Sequence, residues 1–86
     1  MARYSIFIKP SAVKELEAIP LKKDRQRIVA RIRKLAEDPR PVGYQKLSGQ
    51  DKYRIRQGRY QILYSIEDRD LALYVVKVAH RKDVYR

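Results

Sequence analysis

Two short stretches hold most of the side chains capable of chemistry: "YRIRQGRYQILY" over residues 53–64 and "HRKDVYR" over residues 80–86. The first sets Arg54 and Arg56 two residues apart and follows them with Arg59; the second brings His80, Arg81 and Tyr85 to the end of the chain. A guanidinium donates bidentate hydrogen bonds to phosphate oxygens and does not give up its proton in water. The set is therefore suited to gripping an anion and stabilising developing negative charge, and poorly suited to removing a proton. His80 is the one imidazole, the side-chain type that exchanges protons most readily near neutral pH. The plainer reading is an ordinary histidine at a strand end, on the core side by strand parity. Tyr85 could donate a phenolic proton, stack on a base or anchor the tail.

The charge balance agrees with an anionic partner. There are 21 Lys and Arg against 10 Asp and Glu, so the net charge is 21 − 10 = +11, and 12 of the 21 cations are Arg. An excess of this size on a small chain favours nucleic acid or an acidic protein. A basic but inert surface is the plainer reading. A membrane surface fits less well, because the cations are not gathered on one amphipathic helix. With one His and no Cys the usual zinc constellations are excluded, and neither a metal nor any other cofactor is expected. No run approaches the roughly 20 apolar residues of a membrane span, and the N-terminus lacks a secretory apolar region. The expectation is one soluble cytoplasmic domain over residues 1–86, large enough for a single small core.

The elements that must position these groups follow from periodicity. "RYSIFI" (3–8) alternates, with Tyr4, Ile6 and Ile8 on one face, and predicts a first strand. Ser11 is an acceptable N-cap for a helix carrying Val13, Leu16 and Ile19, which Pro20 stops. A second helix is expected from about Leu21 to Glu37, with Ile28, Ile32 and Leu35 as its buried stripe, ended by Pro39 and Pro41. The close spacing predicts an antiparallel hairpin of the two. From Tyr44 the period becomes two. "YQKLSG", "KYRIRQ", "YQILYSI" and "LALYVVKVAHR" read as strands, with turns at 48–51, Gly58-Arg59 and "EDRD". The fold class is α+β: an N-terminal strand and a two-helix hairpin packed on a mostly antiparallel sheet of about four to five strands.

Strand alternation then sorts the side chains. Tyr53, Ile55, Tyr60, Ile62, Tyr64, Ile66, Tyr74, Val76 and Val78 are expected under the helices. Arg54, Arg56, Arg59, Gln61, Lys77 and Arg81 are expected on the uncovered face, as one cationic surface without acids. Like charges on adjacent strands repel by some tenths of a kcal/mol each, so a sequence that keeps them implies an anionic ligand.

The segment "KLSGQDKYRIRQGRYQILYSIEDRDLALYVVKVAHRKDVYR" closely resembles the C-terminal half of the RelE branch of the RelE/ParE toxin superfamily, and the order of the preceding strand and helices extends the resemblance over essentially the whole chain. The resemblance implies a small toxin of a type II toxin–antitoxin module, with a concave basic face, that enters the ribosomal A site and cuts mRNA without metal. The substrate's 2′-hydroxyl attacks the adjacent phosphate, leaving a 2′,3′-cyclic phosphate and a 5′-hydroxyl. It also implies a cognate RelB-like antitoxin, acidic and partly disordered when free. By position, Arg54 and Arg56 match the basic pair of the central strand, Arg81 the arginine after the last strand, and Tyr85 the C-terminal tyrosine. Lysine is frequent in the family at the central pair. Gln61 stands where the family usually has an arginine, with Arg59 placed on the same face to compensate.

On this reading Arg56 and Arg81 stabilise the transition state, with Tyr85 or His80 as acid and His80 the one candidate base. Lys46, Lys52, Arg54, Arg59, Gln61 and Lys77 hold backbone phosphates. Without a strong base, cleavage should depend on the ribosome to organise the substrate. Two alternatives remain open: a ParE-like toxin directed at DNA gyrase, and a catalytically inactive module that binds RNA or antitoxin.

Overall fold

The computed structural model of the protein describes residues 3–47, 49 and 51–84, the last two as backbone. In chain order the elements are β1 (Ser5–Ile8), α1 (Pro10–Glu17), α2 (Lys22–Leu35), β2 (Gln45–Lys46), β3 (Tyr53–Gln57), β4 (Tyr60–Glu67), β5 (Ala72–His80) and the short α3 (Arg81–Val84). The strands form one sheet in the order β1-β5-β4-β3-β2. Every neighbouring pair is antiparallel except β1 with β5, which is parallel. The helical segment 10–35 and the three strands after it supply the long crossover that a parallel pair requires.

One face of this mixed sheet carries the core. Ala12 and Ile19 from the α1 region and Ile28, Ile32 and Leu35 from α2 meet Ile55, Ile62, Tyr64, Leu73, Val75 and Val78, with Tyr4, Ile6, Ile8, Leu16, Tyr53, Tyr60 and Ile66 packed around them. The α2 stripe is the expected one. In α1, Ala12 takes the buried position and Val13 is exposed. That helix starts a residue before Ser11: Lys9 is the N-cap and Pro10 the first helical residue, where a missing N–H costs nothing and the fixed φ is already helical.

Three corrections follow from register. First, β5 carries an irregularity opposite Leu63/Tyr64: Leu63 pairs with Lys77 but Tyr64 with Val75, leaving Val76 as an extra residue. A bulge of this kind reverses the facing of everything before it. Leu73 and Val75 are therefore buried, whereas Tyr74 is 40% exposed and stacks on Phe7 at 5.2 Å on the uncovered face. Second, β2 has two residues rather than six, and Lys46 stands opposite Tyr53, hence on the helix side of the sheet and not with Arg54. Third, the last strand ends at His80, so Arg81 opens α3 instead of continuing the strand.

The far end of the core is closed by polar groups. The buried Tyr64 hydroxyl donates to the Pro39 carbonyl at 2.7 Å, and burial pushes that phenol up to about 12. Arg40 forks onto Asp68 at 3.0 and 3.2 Å, and the Tyr4 hydroxyl donates to the same carboxylate at 2.6 Å. The Arg40 hydrogen bonds hold the Asp68 carboxyl below its usual range. This clasp ties β1, the loop after α2 and the β4–β5 turn together.

Candidate anion-binding site

The β3–β4 turn and the end of β5 lie side by side. Gly58, at φ +59°, allows the two-residue turn that sends β3 back into β4 and leaves Arg59 exposed at its tip. The Arg81 N–H donates to the Arg59 carbonyl at 2.8 Å, which fixes the start of α3 against the turn. Between them lies an open depression of about 340 Å³ lined by Arg59, His80, Arg81 and Lys82. Three cations of four lining residues, none paired with an acid among the described residues, make it a place for an anion.

His80 is half-buried, edge-on to Tyr60 at 5.3 Å, and its Nδ1 accepts the Lys82 N–H at 3.2 Å. With Nδ1 accepting, the neutral ring carries its proton on Nε2 and has only a donor left to offer a ligand. It lies on the core side of its strand, as parity predicts, and reaches the depression from the strand's end.

The remaining candidates divide. Arg56 is exposed on the uncovered face, in one row with Gln61 and Ala79. The row runs across three strands, so Arg56 and Ala79 are about 10 Å apart, within the span of a single nucleotide and its neighbour. Arg54 shares that face but turns to the sheet edge, where its guanidinium donates to the Gln45 side chain. Lys52 is exposed just ahead of β3. Lys77 is not available as expected: it pairs with Glu15 of α1 at 2.8 Å, and the second oxygen of that carboxylate accepts the Val78 N–H at 3.1 Å. Beyond Val75 the outer edge of β5 has no β1 partner, and Glu15 fills the gap. Gln61 is also corrected. It belongs to this face but is fully buried, and neither amide atom has a partner among the described residues. Tyr85 lies outside the described residues.

The sequence reading missed the Phe7–Tyr74 pair, which gives the uncovered face an aromatic end opposite its arginines. Phe7 signalled this by falling out of phase with Tyr4, Ile6 and Ile8.

Residues 6–85 match the family described as the ParE toxin of the type II toxin–antitoxin system parDE. The chain belongs to this toxin family. Its fold is shared with a chain of the archaeal RelE–RelB complex from Pyrococcus horikoshii OT3, at 30% identity and a TM-score of 0.82, covering 94% of this chain and 97% of that one. It is also similar to a chain of the RelB–RelE complex of Methanococcus jannaschii, at 26% identity and 0.71 over 92% and 94% of the chains. The isolated E. coli RelE toxin matches at 25% and 0.77 over 95% and 90%. A search of the curated proteins returns no match. This toxin therefore stands within the RelE/ParE superfamily, with a ParE family assignment and RelE structural relatives. No helix among its described residues is long and apolar enough to cross a membrane.

Proposed function

We propose that this toxin is a ribosome-dependent mRNA endonuclease of the RelE kind, acting in the cytoplasm without a metal. The observation that carries the reading is the depression between Arg59, Arg81 and Lys82, with Arg56 in the adjoining row of the same sheet end. Attack of a 2′-hydroxyl forms the O2′–P bond and breaks P–O5′, giving a 2′,3′-cyclic phosphate and a 5′-hydroxyl. Negative charge builds on the non-bridging oxygens, where fixed guanidiniums act most strongly. Arg56 and Arg81 take that role, and Arg59 and Lys82 hold the flanking backbone. With Nδ1 accepting the Lys82 N–H, the Nε2–H of His80 can donate a hydrogen bond to a phosphate or to the leaving oxygen; to hand over a proton His80 must act as the imidazolium, with Nδ1 protonated and the Lys82 bond given up. Tyr85 is the other candidate acid. No side chain of the depression is a strong base, which assigns organisation of the 2′-hydroxyl to the ribosome.

The structural relatives include chains from toxin–antitoxin complexes. By the same likeness a cognate RelB-like antitoxin, acidic and partly disordered when free, holds this toxin inactive.

The ParE family assignment favours a second reading, inhibition of DNA gyrase. Inducing the chain in a bacterium and mapping mRNA 5′-ends separates the two. Translation-dependent cuts that vanish in an Arg81→Ala, Tyr85→Ala double variant are expected. Growth arrest with DNA damage and no cuts would establish the gyrase reading instead.

A further inference from the structure

On the other side of the β3 end from Arg56 lies a second basic surface. The helix α2, KKDRQRIVARIRKL, carries seven cations and one acid, 7 − 1 = +6, over fourteen residues. Arg27, Arg31 and Lys34 follow one another at helical spacing and line a groove of about 210 Å³ with Ala30 and Gln57. Among the described residues none of the three forms an ion pair with an acid, and the buried Arg31 Nε has no hydrogen-bond partner.

Helix stability does not account for this arrangement. Cations belong at a helix C-terminus, so Arg33 and Lys34 are well placed, but Lys22 and Lys23 open the helix against its dipole with only Asp24 to offset them. Lys23, Arg27 and Arg31 are like charges at successive i, i+4 positions, which repel. Simple solubility would be served as well by mixed signs.

The lining chemistry selects the ligand. A disordered acidic peptide that folds on a surface needs apolar anchors to offset its ordering, and Ala30 is the only apolar residue in the groove. Unpaired bases need aromatic platforms, and the groove has none. What remains is a row of cations on a rigid rod, about 10 Å long from Arg27 to Lys34 at helical rise, which matches a regular phosphate backbone. Gln57 adds one neutral amide able to donate to and accept from a 2′-hydroxyl. Arg56 and Gln57 are consecutive and point to opposite faces, and β2 pairs with β3 only at Tyr53 and Arg54. No strand therefore separates the two basic surfaces along that edge.

We infer that the α2 groove is a second RNA site, binding the backbone of double-stranded RNA independently of cleavage at the depression. The test uses the full chain and a 16-base-pair RNA duplex, with affinity read by anisotropy over a range of salt. The Arg27→Gln, Arg31→Gln, Lys34→Gln variant should bind at least 10-fold more weakly. Its log K against log salt slope should flatten by about 2, from roughly 0.7–0.9 per lost phosphate contact. A Lys9→Gln, Lys14→Gln, Arg69→Gln variant has the same net charge and should lose less than 3-fold. Arg27→Lys, Arg31→Lys keeps the charge and should keep most of the affinity, which separates lost contacts from lost folding. An Arg81→Ala variant should keep duplex binding whether or not the chain cleaves mRNA. Equal losses in the two triple variants would reduce the effect to net charge and overturn the site. So would unchanged affinity in the α2 variant, tighter binding to a DNA duplex of the same length, or a loss confined to binding of an acidic antitoxin peptide.

Discussion

Arg56 and Gln61 face each other across β3 and β4, yet Arg56 is exposed while Gln61 is wholly buried, with both amide atoms unpartnered among the described residues. A polar pair expected to share one anion-binding surface is thus split into a cation at the surface and an unsatisfied amide beneath it.

Leaving a buried donor or acceptor unpaired costs about 1–3 kcal/mol, whereas an apolar group of similar shape avoids that loss. Gln61→Met should therefore stabilise the protein by about 1 kcal/mol, roughly 4–8 °C in a domain this small. Urea or thermal unfolding reads the change. Mutational destabilisation would mean that the amide makes a compensating contact. Unchanged cleavage in the same variant would place Gln61 outside the chemistry.

The fold and the core were largely legible: the Ile28/Ile32/Leu35 stripe and the alternation of 53–57 and 60–66 are strong periodic signals, and the helices cover the side they indicate. The errors have local causes. Nothing in "LALYVVKVAH" marks Val76 as the extra residue, because a bulge is decided by pairing across β4 and not by the strand's own residues. Tyr74 therefore faces away from the helices, against the strand's simple alternation. Lys77 lies on the face that alternation indicates, but its pairing with Glu15, 62 residues away on a helix, is beyond any local pattern. Arg59 and Arg81 both belong to the cationic set that alternation indicates, but the backbone bond that joins their segments is a tertiary fact.

Lys77 and Arg59 offer a direct contrast in RNA binding. Lys77 is held by Glu15, while Arg59 lines the depression. Arg59→Gln should weaken single-stranded RNA binding several-fold and reduce the salt slope by about 0.7 for the lost single-strand phosphate contact. Lys77→Gln should change both little. Equal effects on titration would show that the Lys77–Glu15 pair opens when RNA arrives.

Tyr64 makes an alkaline signature. Its phenol rises to about 12 in the folded protein, against about 10 in an unfolded chain. The folded state thus prefers the protonated form: this contribution is whole below pH 10 and declines as pH rises from about 10 to about 12. Tyr64→Phe should lose about 1 kcal/mol at neutral pH by orphaning the Pro39 carbonyl, and the gap between the two proteins should narrow above pH 10. Denaturant midpoints at pH 7, 10 and 11 check both parts; a gap that widens with pH would contradict the assignment.

If the guanidiniums of Arg81 in the depression and of Arg56 in the adjoining row stabilise phosphoryl charge during attack by the substrate's own 2′-hydroxyl, the chemical step needs both. The direct measurement is single-turnover cleavage of mRNA on purified translating ribosomes, with the chemistry of the new ends determined, for the native chain beside Arg56→Ala and Arg81→Ala. The account predicts 2′,3′-cyclic phosphate and 5′-hydroxyl ends and a rate loss of about 100-fold or more in each variant. Ends of the opposite polarity, full activity without both arginines, or no cleavage by a chain that still inhibits gyrase would contradict it.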